Sequence, residues 1–201
     1  MFAVKANKAR EKVRSLLNER IQGSEIHSAR RDHYTYGTPD DFQFTFIVDL
    51  AFKPGIAYFQ PLIAVCNSEL SERFRALENK SYFKCGRPNE RWKPKNYLHC
   101  YGLQSDDLNA YFFYDGLLEA VHRKFEQFHQ NIAAYDQVVD AQTLRTFLEK
   151  EKAFVGPTGD LMMMFLDHIL LDEDALRERY SSQQFPVMQK QFLEAILSTY
   201  P

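Results

Sequence analysis

A chain of 201 residues that is 45% hydrophobic and 26% charged has the make-up of a folded globular protein, which excludes the disordered and low-complexity classes. Three cysteines without close spacing, Cys66, Cys85 and Cys100, exclude a disulfide scaffold or zinc knuckle and fit a reducing compartment. The net charge of −2 hides a division: residues 1–101 hold 17 basic against 11 acidic side chains, a balance of +6, and residues 102–201 hold 8 against 16, a balance of −8. Opposite fields of this kind attract each other or recruit a charged partner.

The basic leading stretch Met1 to Arg14 has no apolar segment behind it, and the longest apolar run, Leu161 to Leu166, is far too short to cross a bilayer. The expectation is a cytoplasmic protein with no membrane partner.

Ala3 to Ile21 reads as a helix, with Val13, Leu16, Leu17 and Ile21 on one stripe and Gly23 as its stop. Glu25 to Tyr36 mixes β-formers with charges, the pattern of a twisted edge strand. Phe42, Phe44, Phe46, Val48, Leu50 and Phe52 alternate with a set that includes Gln43, Thr45, Asp49 and Lys53, which predicts a strand with one buried aromatic face. Lys53-Pro54-Gly55 is a turn into a second strand, Ile56 to Val65, and Pro61 predicts an edge position or a bulge there. Asn67 and Ser68 cap a helix whose inward residues are Leu70, Phe74 and Leu77. Tyr82 to Cys85 and Tyr97 to Tyr101 are short strand candidates around an exposed loop, Arg87 to Lys95.

After Ser105, a cap candidate, the period changes from 2 to 3.6. Leu118, Val121, Phe125, Phe128 and Ile132 define one apolar face, and Asp140 caps a helix bearing Leu144, Phe147 and Leu148. Gly156-Pro157 breaks it, Leu161, Met164, Phe165, His168 and Ile169 line the next, and Pro186 opens a last helix with Phe192, Leu193 and Ile196. Strands followed by helices predict an α+β fold: an N-terminal helix, a mostly antiparallel aromatic-rich sheet, and a helical C-terminal half packed on it. The lobes divide as 1–104 and 105–201 within one continuous domain.

The eight glycines form neither a Gly-x-Gly-x-x-Gly nor a Gly-x-x-x-x-Gly-Lys loop, and Gly-x-Ser-x-Gly and His-Glu-x-x-His are also absent, so no cofactor is expected. Glu119, His122, Glu126 and His129 share one helical stripe. By helical rise the two histidines stand about 10 Å apart, too far to share an ion without a second helix, and the stripe reads as a solvated flank with no metal. His99 and Cys100, with Cys85 nearby, suggest a Cys-His pair, but neighbouring strand residues point to opposite faces. Asp172-Glu173-Asp174 reads as a helix start and Met162-Met163-Met164 as core and adjacent surface.

The strongest binding candidate is Arg87, Arg91, Trp92, Lys93, Lys95 and Tyr97, where cations alternate with flat rings. Such a surface suits an acidic protein interface first and a nucleic-acid backbone second. The functional expectation is therefore a non-catalytic protein-binding module, of inhibitor or immunity type, with no assigned catalytic residue. The alternative is a small hydrolase or nucleic-acid-processing enzyme with a dispersed site.

Overall fold

The computed structural model describes residues 2–80, 97–103, 110–112, 116–153 and 157–200. Its elements in chain order are α1 (Phe2–Arg20), β1 (His27–Arg30), β2 (His33–Tyr36), β3 (Gln43–Lys53), β4 (Ile56–Cys66), α2 (Ser68–Lys80), β5 (His99–Gly102), β6 (Ala110–Phe112), α3 (Leu117–Gln130), α4 (Ile132–Tyr135), α5 (Ala141–Lys150), α6 (Pro157–Leu170), α7 (Glu173–Ser181) and α8 (Val187–Leu197). This is an α+β chain with a leading helix, an antiparallel sheet and helices through the C-terminal half. It divides into two compact units, one formed by Met1–Thr38, Gln43–Val65 and Gly102–Asp136, the other by Pro39–Phe42, Cys66–Tyr101 and Gln137–Pro201.

In the first unit β1, β2, β3 and β4 lie side by side in chain order, and β6 joins β4. α1 buries Val13 and Leu17 and runs against α3, and Gly23, at φ +74°, ends its connection to the sheet in a conformation glycine adopts without strain. The single twisted strand expected over Glu25 to Tyr36 is instead a hairpin. Asp32 adopts φ +64°, a left-handed turn that aspartate tolerates better than most residues, and the chain folds back so that His27 faces Thr35 and Ser28 faces Tyr34.

On β3 the alternation holds where it decides the core: Phe44, Phe46 and Val48 are buried, as is Phe42 just before the strand, while Leu50 and Phe52 are partly open. Phe44 stacks on Tyr135 with centroids 4.2 Å apart, and Phe46 meets Phe125 and Phe128 at 5.6 and 5.7 Å. Tyr34, the register partner of Phe46, also meets Phe125 edge-on at 5.7 Å. One sheet face is thus closed by α3 and α4 with aromatic rings, which bury much area each and gain further from edge-to-face geometry.

The opposite face of β3 departs from expectation. Thr45 and Ile47 are only 1% and 2% exposed, so the middle of this strand is covered on both faces. Thr45 shares a buried hydroxyl pair with Thr35 at 3.2 Å, which is how two polar side chains are accommodated there. Nor is β4 an edge. β6 pairs with it at Ile56 to Tyr58, and the carbonyl of Pro61, beyond that pairing, accepts the Leu103 N–H at 3.1 Å, so Pro61 takes part in the structure as an acceptor although it has no N–H to give. On α3 the inward stripe is Leu117, Val121, Phe125 and Phe128. Leu118, expected inside, stands about 100° away from Leu117 around the helix and is 39% exposed.

In the second unit, Asn67 caps α2 by accepting the Leu70 N–H at 2.9 Å and donates to the Asp41 carbonyl at 2.6 Å. α2 buries Leu70, Phe74 and Leu77 as expected, with Phe74 against Phe165 of α6 and Phe192 of α8. α5 begins in a reciprocal capping box, Asp140 accepting from the Thr143 N–H and Thr143 Oγ1 from the Asp140 N–H. Asp172 caps α7 through the Ala175 N–H at 2.9 Å, and Pro186 stands immediately before α8.

Candidate interaction surface

Of the six residues the sequence singled out, Arg87, Arg91, Trp92, Lys93 and Lys95 lie outside the described residues. Tyr97 is half-buried two positions before β5. What the structure adds is a cationic surface built on the β1–β2 hairpin.

Its base is Asp32. The carboxylate accepts from Arg14 Nε at 2.8 Å and Arg14 Nη2 at 3.0 Å, a two-pronged pairing that fixes both partners. The Asp32 carbonyl accepts the Val48 N–H at 2.9 Å. A left-handed residue is thereby tied to α1 through its side chain and to β3 through its backbone. His33 Nδ1 lies 2.8 Å from the Arg31 carbonyl, so that nitrogen carries the proton. Burial, helped by the Arg30 charge, holds the His33 pKa below its ordinary value against the pull of the Arg31 carbonyl and Asp32.

Above this base the side chains of His27, Ser28, Ala29 and Arg30 are all exposed, and Arg31 is exposed beside them. Two neighbouring guanidinium groups therefore project from a fixed turn. Arg14 differs from them, since Asp32 consumes its charge, and so does Arg10, whose Nη2 donates to the Leu50 carbonyl at 3.2 Å while the guanidinium lies 4.7 Å from the Phe52 ring centre. Sequence reasoning placed charges in this stretch without seeing the turn. The signal was Arg30-Arg31-Asp32, a cation pair followed by a residue type that accepts positive φ.

Other polar groups are committed to the fold. Asp167 of α6, 2% exposed, receives Arg179 Nε at 2.8 Å and the Tyr180 hydroxyl at 2.6 Å on one oxygen. Arg145 Nε faces its other oxygen at 2.7 Å, off the line of a hydrogen bond, so this contact is an ion pair. Glu149 completes the group by holding Arg145 Nη1 at 3.0 Å. Burial, then the Asp167 hydrogen bond and charge, drive the Tyr180 pKa well above its ordinary value. His168 Nδ1 meets the Tyr200 hydroxyl at 3.0 Å. His99 is buried with Nε2 against the Ala153 carbonyl at 3.0 Å, while Cys100 is half-buried; Cys85 lies outside the described residues.

On α3, His122 Nδ1 lies 3.5 Å from Glu126, and Glu119 and His129 are exposed. Among the described residues no group of three or more His, Cys, Asp or Glu is placed to hold a metal ion, and no helix is long and apolar enough to cross a membrane. Asp49, half-buried on β3, has its pKa pushed up to about 6 by burial, which the Arg10 charge only partly opposes.

No protein-family model, curated protein or solved structure matches the chain.

Proposed function

We propose that this chain is a non-catalytic cytoplasmic protein-binding module, of inhibitor or immunity type, that masks an acidic surface of its partner. The supporting observation is the anchored hairpin: Arg30 and Arg31 are exposed on a turn that Arg14 and Val48 hold in place through Asp32. Arginine is well suited to recognise carboxylates because its planar fork forms paired hydrogen bonds, and fixing its backbone lowers the ordering cost of binding. The segment Arg87, Arg91, Trp92, Lys93, Lys95 and Tyr97 supplies the second half of this reading, cations with an aromatic anchor.

The test is association kinetics with a partner captured from the source cells. Arg30→Glu with Arg31→Glu should slow association by about tenfold and flatten its salt dependence. Trp92→Ala should speed dissociation. A partner that binds both variants like the wild type would refute the proposal.

The alternative, a small hydrolase or nucleic-acid-processing enzyme, draws on Asp49 alone, since a carboxyl titrating near pH 6 suits proton transfer. It requires a nuclease or esterase turnover that Asp49→Asn removes; a turnover indifferent to that change rejects this role for Asp49.

A further inference from the structure

Building on the proposed binding function, we infer that the open edge of β1 takes up an extended acidic segment of the partner as an added strand. β1 is the terminal strand of the sheet, hydrogen-bonded to β2 on one side, and among the described residues no strand lies on the other. An edge strand turns alternate N–H and C=O groups outward, a template for another strand.

Most edge strands bury one face against a core. β1 buries neither, since His27, Ser28, Ala29 and Arg30 are all exposed. Its position is kept by pairing with β2 and by the Asp32 anchor, so the hairpin arrives at an encounter already shaped. The pairing register shifts between Ser28 and Arg30, and a short, irregular, positively charged edge disfavours a second copy of itself, because two copies would bring like charges together. The same charges favour a strand bearing carboxylates. Backbone pairing would supply part of the affinity and Arg30 and Arg31 the choice of acidic over neutral segments. A nucleic-acid strand finds less here: Tyr34 is buried, and Tyr36 is half-buried with its ring against Tyr135 at 6.4 Å and its hydroxyl tied to the Asp136 carboxylate, so the hairpin offers little ring surface for base stacking.

The probe is a short fluorescent peptide of alternating Glu and Val, prepared unmodified and with N-methyl groups on one or the other alternate set of amides. An added strand pairs through one edge, so methylation of that set should abolish binding while methylation of the other leaves it within about twofold. Arg30→Glu with Arg31→Glu, and the milder Arg30→Gln with Arg31→Gln, should each weaken the unmodified peptide about tenfold or more, with unchanged thermal melts showing the fold intact. Equal binding of both methylated peptides refutes strand addition while leaving an acidic partner at the hairpin in place. No binding of the unmodified peptide, or displacement by single-stranded oligonucleotide in preference to the acidic peptide, overturns the inference outright. The captured partner's kinetics judge the proposed function separately.

Discussion

The two units fill their cores by different chemistry. The first closes one sheet face with rings, Tyr34, Phe44 and Phe46 from the strands against Phe125, Phe128 and Tyr135. The second combines apolar packing around Phe74, Phe165 and Phe192 with a buried carboxylate, Asp167, shared by Arg145, Arg179 and Tyr180. Ring packing is graded, because each lost atom costs its own contacts and burial. An ion cluster is closer to all or none, since removing one member strands the charges of the others in a dry place.

Single truncations should be equally damaging in the two units and should differ only in how they are rescued. Phe46→Ala and Asp167→Ala are each expected to cost about 3–5 kcal/mol in urea melts. Phe46→Leu should recover most of the first loss. For the second, replacing the whole group by Arg145→Met, Asp167→Leu, Arg179→Met and Tyr180→Phe should return stability to within about 1 kcal/mol of wild type, since no buried charge or hydroxyl remains unpaired. If the fourfold variant is no better than Asp167→Ala, the contrast between the cores is wrong.

A smaller effect tests the polar exception inside the aromatic unit. Thr45→Val leaves the buried Thr35 hydroxyl without its partner and should cost about 1–2 kcal/mol, whereas Thr35→Val with Thr45→Val should be close to neutral. A double variant worse than the single would show that the hydroxyls serve something besides each other.

The smallest expected effect is set by pH. Asp49 binds its proton more tightly in the fold, at about 6 against 3.8 for the free side chain. Its contribution to stability is therefore fully present below the lower value and is lost as pH rises through about 6. Asp49→Asn should stabilise by about 1 kcal/mol at pH 7.5, a figure reduced for the half-exposed position, and should change nothing at pH 3. An equal gain at both pH values would remove burial of the charge as its cause.

Much of this was legible in the residues. Period-two aromatics marked the β3 core face, and Asn67, Asp140 and Asp172 announced helix starts because each side chain satisfies an amide close by. Local signals of that kind need no knowledge of the fold. Covering of the Thr45 and Ile47 face did need it, as did the rotation of α3 that leaves Leu118 outside. The β1–β2 hairpin was hidden because its turn uses Asp32 where glycine or asparagine would advertise positive φ. Asp167 stood in plain view within Leu161-Met162-Met163-Met164-Phe165-Leu166 and the residues after it. A carboxylate that directly follows so apolar a run on the same helix points to a buried partnered charge, but its partners lie 22 residues before it and 12 and 13 after it, at Arg145, Arg179 and Tyr180. Of the proposed binding surface, the cations beside rings at Arg87 to Tyr97 are an expectation from the sequence, all but Tyr97 lying outside the described residues, while the hairpin emerges only through the way Asp32 fixes it.

The shared carboxylate has a consequence in time as well as in energy. α5, α6 and α7 each send a side chain to the same few cubic ångströms, through Arg145, Asp167 and the Arg179–Tyr180 pair. None of the three can swing out alone without baring an ion to a poorly hydrated interior, so transient openings of this region must be collective. In native-state hydrogen exchange their amides should therefore form one block with a common opening free energy. Among the described residues α8 itself is hydrogen-bonded to α6 through Gln189 and Asp160 at 3.0 Å, with His168 holding Tyr200 just beyond the helix at 3.0 Å; no buried ion of α8 enters the cluster, and its amides are free to keep a separate clock.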